Sequence, residues 1–95
     1  MADEFKLRKD LERGSHAEML LRDELLTEAF KTLEAAYIEE WGRSEFSQVE
    51  KRENLWKSTQ ILGDVRRHLL KVASNGKLAK KELNDLADKF RPRAA

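Results

Sequence analysis

Leucines recur every seven residues in the second half of the chain, and a second set of positions repeats that spacing three residues out of phase. The leucines are Leu55, Leu62 and Leu69, and the second set is Ser58, Val65 and Val72. This heptad is typical of a helix that packs along one narrow seam, as in a coiled coil, and it predicts a helix over about 48–74. Its partner helix is expected upstream, over about 16–41, where a second helical stripe contains Leu26, Ala29, Phe30, Leu33, Ala36, Tyr37 and Trp41.

Small residues predict the two ends of the upstream helix. Gly14 interrupts the pattern, and Ser15 followed by Glu18 matches a capping box, in which each side chain accepts a hydrogen bond from the other residue's backbone N–H. Gly42 follows the last residue of the apolar stripe, and glycine readily adopts the left-handed conformation that ends many helices. The upstream helix is therefore expected to begin just after Gly14 and to end at Gly42.

The heptad helix has similar end signals. Ser47 with Glu50 forms a second capping box, and Asn75 with Gly76 is a pair that commonly ends helices. The two long helices have nearly equal lengths and are separated by a connector of about six residues, so we expect an antiparallel hairpin. A shorter helix is expected over about 78–90.

The fold class that follows is all-α, with a single helical domain over residues 1–95. Residues 1–14 form an N-terminal arm that is capped by Asp3 and is helical only when it is docked. Residues 15–74 form the helical hairpin, and residues 75–95 form the C-terminal helix and a frayed tail.

Several large apolar residues lie outside the two stripes that a hairpin covers. Small helical proteins often complete their cores across a subunit interface, so we expect self-association and docking onto a larger protein. Packing within the core is an equal alternative for the two tryptophans. The residues expected at protein interfaces are Leu21, Leu25, Ile38, Trp41, Trp56 and Ile61.

Composition excludes several classes of protein. The chain contains no cysteine, so disulfides and thiolate metal ligands are ruled out. The first residues lack the basic and apolar segments of a secretory signal, and the longest apolar run, at residues 35–38, is too short to cross a membrane. We therefore expect a cytoplasmic protein with no membrane partner.

Charge is distributed unevenly, although the net charge is only +1. Residues 1–56 contain nine basic and fourteen acidic residues, a balance of −5, whereas residues 57–95 contain ten basic and four acidic residues, a balance of +6. This asymmetry indicates either complementary packing between helices or a basic region with its own partner. Nucleic-acid binding by a small DNA-packaging type of subunit is therefore the alternative function, with candidate residues Arg66, Arg67, Lys71, Lys77, Lys80 and Lys81.

No set of residues indicates catalysis or a bound cofactor. His16 and His68 belong to different predicted helices, and neither lies in a metal-binding motif. The carboxylates of the upstream helix have the spacing of a solvated face, and a two-helix hairpin offers no cleft for acid–base catalysis. The chain is expected to be neither an enzyme nor a metal or cofactor protein.

A pattern of apolar and charged positions also links the chain to a known class of proteins. It consists of Leu20-Leu21-Arg22-Asp23-Glu24, Glu28-Ala29-Phe30, Leu33-Glu34, Trp41, Arg52-Glu53-Asn54-Leu55-Trp56 and Asn75-Gly76-Lys77-Leu78-Ala79. With this pattern, roughly residues 16–80 resemble the small helical proteins encoded by tailed bacteriophages and prophages. The resemblance implies a role in virion assembly or as a virion component, beside larger capsid or packaging proteins. It also implies a location in the host cytoplasm or in the virion. The resemblance transfers no site residues. The uneven charge permits a third function, that of a small inhibitor that occupies a groove of a host protein.

Overall fold

The computed structural model describes residues 3–90, which form three α-helices. Helix α1 spans Glu4–Arg22, helix α2 spans Glu24–Arg43 and helix α3 spans Val49–Lys89. No β-strand occurs in residues 3–90. The predicted all-α class is therefore confirmed.

The described residues form two compact units. The first contains residues 3–20 and 69–90 and is called the α1–α3 unit; the second contains residues 21–68 and is called the α2–α3 unit. Helix α3 contributes its C-terminal part to the first unit and its N-terminal part to the second. A single domain over the whole chain stays a prediction, and the predicted frayed tail lies outside the described residues.

Helix α1 begins at the capping residue that the sequence predicts. Oδ1 of Asp3 accepts a hydrogen bond from the backbone N–H of Phe5 at 3.0 Å, and the Asp3 carbonyl accepts one from the N–H of Leu7 at 3.0 Å. From there the helix continues without interruption through Gly14 and Ser15. The predicted boundary between an arm ending at Gly14 and a helix starting at Ser15 is therefore wrong.

The break between α1 and α2 lies at Asp23. This residue has an extended backbone (φ −65°, ψ 122°), and its Oδ1 accepts a hydrogen bond from the N–H of Leu26 at 2.8 Å. Aspartate is a favoured N-cap because it satisfies a backbone donor that the first helical turn leaves unpaired. The predicted helix over 16–41 is thus divided between α1 and α2, with Leu21 and Leu25 on opposite sides of the break.

The end of α2 does not use Gly42, which stays helical and has no positive φ. The helix continues to Arg43, and Ser44 follows in an extended conformation (φ −72°, ψ 151°). The backbone N–H and the Oγ of Ser44 both donate to the carbonyl of Trp41, at 3.1 and 2.5 Å. The predicted left-handed glycine cap is wrong, because a serine satisfies the free carbonyl instead.

Helix α3 starts close to the predicted position, although the predicted capping box does not form it. The carbonyl of Gln48 accepts the N–H of Arg52 at 3.0 Å, and the Gln48 side chain accepts the N–H of Glu45 at 2.9 Å. Gln48, rather than Ser47 with Glu50, therefore organises the first turn. The connector between the two helices covers residues 44–48, so it is present as predicted but begins after Arg43 rather than at Gly42.

Helix α3 continues through Asn75 and Gly76, so the predicted helix end at these residues is wrong. The separate helix expected over about 78–90 is the last part of α3. The reason is that the heptad of covered positions continues past the predicted end with the same spacing of three and four residues. These buried or half-buried positions are Leu69, Val72, Gly76, Ala79, Leu83 and Leu86.

Gly14 and Gly76 bring α1 and α3 into backbone contact within the α1–α3 unit. A Cβ built on Gly14 would lie 2.5 Å from the Cα of Gly76, and a Cβ built on Gly76 would lie 2.6 Å from the Cα of Gly14. Carbon atoms in contact prefer about 3.5–4.0 Å, so only glycine fits at this crossing. The apolar residues buried in this unit are also mostly small: Leu7, Ala17, Ala73 and Ala79.

Helix α2 and the N-terminal part of α3 form the predicted antiparallel hairpin. Beside the connector, the Nζ of Lys51 lies 3.5 Å from Oε1 of Glu40. The predicted seam residues Leu55, Ser58 and Leu62 are half-buried, whereas the predicted seam residue Val65 is exposed. No residue of the α2–α3 unit is fully buried. A hairpin with so thin a core leaves large apolar side chains exposed.

Candidate functional site

A group of exposed apolar side chains lies at the connector end of the α2–α3 unit. We call it the aromatic face and define it as Ile38, Trp41, Phe46, Val49 and Trp56. Phe46 is 90% exposed, Trp56 is 58% exposed and Trp41 is 43% exposed. Single exposed apolar residues are ordinary on protein surfaces, but contiguous apolar patches commonly mark interaction sites.

Two clefts adjoin Trp41 and Trp56, and both tryptophans line each of them. The first cleft, of about 250 Å³, has almost entirely apolar walls and is lined by Tyr37, Ile38, Trp41, Leu55, Trp56 and Thr59. The second, of about 290 Å³, is lined by Trp41, Phe46, Val49, Arg52, Glu53 and Trp56. The aromatic face therefore combines protruding rings with hollows beside them.

Arg52 fixes the geometry of this face. Its Cζ lies 3.9 Å from the centre of the Trp41 ring and 5.2 Å from the centre of the Phe46 ring, which is within the range of cation–π attraction. Its Nη1 donates to Oγ of Ser44 at 2.9 Å and to the Ser44 carbonyl at 3.2 Å. Arg52 thus ties α3 to the end of α2 and holds the Trp41 ring on one side.

Two ion pairs lie near the aromatic face. Nη2 of Arg43 lies 2.6 Å from Oε1 of Glu39, and Lys51 pairs with Glu40 as described above. Exposed pairs of this kind add little to stability, about 0–1 kcal/mol. They do leave the surroundings of the face without a strong excess of either charge.

The structure brings together three of the six predicted interface residues. Leu21 is half-buried in the last turn of α1, whereas Leu25 and Ile61 are exposed but line neither cleft. Sequence reasoning missed Phe46, Val49 and Arg52. Phe46 could have been recognised from the sequence as an exposed apolar residue, because it is a large apolar residue in a polar connector and has no helix seam to pack against. The predicted residues that meet in the aromatic face are Ile38, Trp41 and Trp56.

The predicted nucleic-acid candidates are all exposed on α3. Arg66 and Arg67 lie in the α2–α3 unit, and the four lysines lie in the α1–α3 unit. Arg67 pairs with Asp64, and the Nζ of Lys77 lies 3.6 Å from Oε1 of Glu18. Part of the basic set is therefore engaged in pairs within the chain.

The described residues show no arrangement suited to holding a metal ion. Within residues 3–90, no three His, Cys, Asp or Glu side chains come together in a way that could bind one. The residues that line a cleft of about 530 Å³ in the α1–α3 unit include three acidic residues, Asp3, Asp10 and Glu82, together with Lys6. His16 and His68 are both exposed.

Among residues 3–90, no helix is both long enough and apolar enough to span a membrane.

Comparison of the chain with family models, with curated proteins and with solved structures finds no match. The resemblance to phage proteins therefore stays a prediction from the sequence pattern.

Proposed function

We propose that the chain is a non-enzymatic assembly protein of the tailed-phage type, which docks onto a larger virion or packaging protein. The observation that supports this most is the aromatic face. Its composition is that of an interface centre, where tryptophan and arginine are enriched and contribute most of the binding energy.

The size and rigidity of the aromatic face favour a protein as its partner. From the exposed fractions of its five residues, the face presents an apolar area on the order of 500 Å². That is near the upper end of the largest apolar patches found on monomeric proteins, which are often functional. The contacts of Arg52 hold the Trp41 ring and the connector in place before binding, so less conformational entropy is lost on docking.

Gradient sedimentation of lysates tests this proposal in cells that encode the chain. An epitope-tagged chain should migrate with assembled particles, and Trp56→Ala should release it to the slow fractions. Ile61→Ala is a matched control, because Ile61 is 60% exposed on the same helix but lies outside both clefts. A wild-type chain that stays in the slow fractions while particles assemble would rule out the proposed role.

Nucleic-acid binding is the second candidate, and the exposure of the six basic residues on α3 is the observation in its favour. It predicts retardation of duplex DNA that weakens steeply with salt and is lost when Arg66, Arg67 and Lys71 are all changed to alanine. The aromatic face has no role in this function. Unchanged DNA mobility at low salt would eliminate it.

A further inference from the structure

We propose that Asn75 is a modification site that reacts only after α1 has left α3, and that its isoaspartate product then prevents α1 from packing back. Asparagine is among the thermolabile residues. It loses its side-chain amide most readily before glycine, because glycine has no side chain to hinder the reaction. The chain contains three asparagines, and only Asn75 precedes a glycine; Asn54 precedes Leu55 and Asn84 precedes Asp85.

The reaction is an attack of the backbone on the neighbouring side chain. The backbone nitrogen of Gly76 loses its proton and forms a bond to the side-chain carbonyl carbon of Asn75. The amide C–N bond breaks, and its nitrogen takes up a proton and leaves as ammonia. Water then opens the resulting succinimide ring at either carbonyl, which gives aspartate or isoaspartate. Water is the only co-reactant, and no group is oxidised or reduced.

The helical backbone at Asn75 and Gly76 blocks this attack, because both residues lie inside α3. A helical ψ of about −42° keeps the asparagine side chain away from the next backbone nitrogen. Within an α-helix, each N–H also donates to the carbonyl four residues earlier, which for Gly76 is the carbonyl of Val72. Both restraints must be released before the ring can close.

Helix α1 adds a second block, because its backbone covers the reacting nitrogen. Gly76 is buried, and a Cβ built on Gly14 would lie 3.0 Å from the backbone nitrogen of Gly76. Ring closure adds a carbon substituent to this nitrogen, where α1 leaves no room even for a methyl group. Asn75 itself is exposed, so water reaches its side chain. Deamidation therefore requires that α1 and α3 first open locally.

Isoaspartate at residue 75 would make the release of α1 irreversible. In isoaspartate the main chain runs through the former side chain and gains one carbon atom before Gly76, so α3 no longer keeps one helical repeat on both sides. The crossing has no space for such a shift, because a Cβ built on Gly76 would already lie 2.6 Å from the Cα of Gly14. Leu7 and Ala17, which are buried when α1 is packed, would then stay exposed.

Mass spectrometry of the purified full chain tests the site. The chain is incubated at neutral pH with and without urea, and deamidation is measured on the tryptic peptide of residues 72–77. Asn75 should react about a hundredfold faster in the unfolded chain, because folding keeps the open form rare. Asn84 is the internal control and should react much more slowly than Asn75 in urea. Equal rates with and without urea would overturn the gating by structure, and an unmodified Asn75 in urea would overturn the site.

Two glycine variants test whether α1 controls the rate. Gly14→Ala weakens the crossing and should speed deamidation without urea by up to about thirtyfold. Gly42→Ala should keep the wild-type rate, because a Cβ there meets nothing within 4 Å. A Gly14→Ala rate no higher than that of the wild-type chain would overturn the control by α1. If circular dichroism shows that Gly14→Ala does not fold, low urea concentrations replace it, and they should raise the wild-type rate progressively.

Hydrogen exchange tests the irreversible step. Chains that contain isoaspartate are separated from unmodified chains by ion exchange and returned to buffer without urea. Their α1 amides should exchange much faster than those of the unmodified chain, because the crossing can no longer form. Equal protection of α1 in the two forms would overturn the claim that the product prevents packing.

Discussion

Replacing Gly76 by alanine tests the close crossing of α1 and α3. In an exposed helix interior, Gly→Ala stabilises a protein by about 1 kcal/mol, because glycine loses more backbone freedom on folding. At Gly76, however, the new methyl group would lie 2.6 Å from the Cα of Gly14 and 3.1 Å from the carbonyl oxygen of Asp10. Carbon contacts prefer about 3.5–4.0 Å, so the two helices must separate by about 1 Å at this point.

That separation weakens the packing of the buried alanines around the crossing, Ala17, Ala73 and Ala79. Overpacking of this kind costs about 1–3 kcal/mol, which equals or exceeds the intrinsic gain of about 1 kcal/mol. We expect a net loss of up to about 2 kcal/mol in the free energy of unfolding for Gly76→Ala, and a similar loss for Gly14→Ala. The double variant should lose less than the sum, because the separation that admits one methyl group makes room for the other.

Gly42→Ala is the matched control, since a Cβ at this position meets nothing within 4 Å, and it should gain about 0.5–1 kcal/mol. Urea unfolding followed by circular dichroism gives the free energies. Tryptophan fluorescence gives a second reading of the α2–α3 unit alone, because both tryptophans lie there. If Gly76→Ala raises the unfolding midpoint as Gly42→Ala does, the close crossing is refuted.

Three further substitutions test other parts of the structure. Asp23→Ala removes the N-cap of α2 and should lower the free energy of unfolding in urea by about 1 kcal/mol. Asp23→Ser should retain most of the stability, because serine is also a favoured N-cap. An unchanged urea midpoint for Asp23→Ala would contradict the capping role. Arg52→Lys keeps the charge but loses the planar stack on Trp41, so the tryptophan emission should shift, and identical spectra would argue against the stack. Leu62→Asp puts an unpaired carboxylate into the seam and should abolish cooperative unfolding. The control Glu39→Ala should change the urea midpoint of unfolding little. Cooperative unfolding of Leu62→Asp with the wild-type midpoint would show that the seam is misplaced.

The periodic features of the fold were predictable from the sequence, because periodicity records which side of a helix is covered. The heptad through Leu55, Leu62 and Leu69 located the N-terminal part of α3, up to about residue 74, and its hairpin with α2. Gly14 and Gly76 misled the prediction, because glycine at a helix end and glycine at a close helix crossing look the same locally. Only the continuation of the heptad past Gly76 distinguishes the two uses.

The aromatic face was predictable in part for a similar reason. Ile38 and Trp56 stood out as apolar residues outside the stripes, and Trp41 stood out as a large aromatic residue at the end of one stripe. The role of Arg52 could not be read from its neighbours, because its contacts with Trp41 and Ser44 exist only after the hairpin has closed. Sequence patterns identify apolar residues that the helix seams do not bury, whereas contacts between residues on either side of a connector depend on the folded geometry.

The contact between Gly14 and Gly76 also fixes the axial alignment of α1 along α3. Two helices that pack along a heptad seam can shift by one turn relative to each other. After the shift, apolar seam residues of one helix still contact apolar seam residues of the other. A slip of α1 by one turn would bring Ala17 or Asp10 opposite Gly76, where a Cβ has no room. Long side chains adapt to such a shift by changing rotamer, but two backbones in contact have no such freedom. The two glycines therefore select one alignment of the helices and exclude its neighbours.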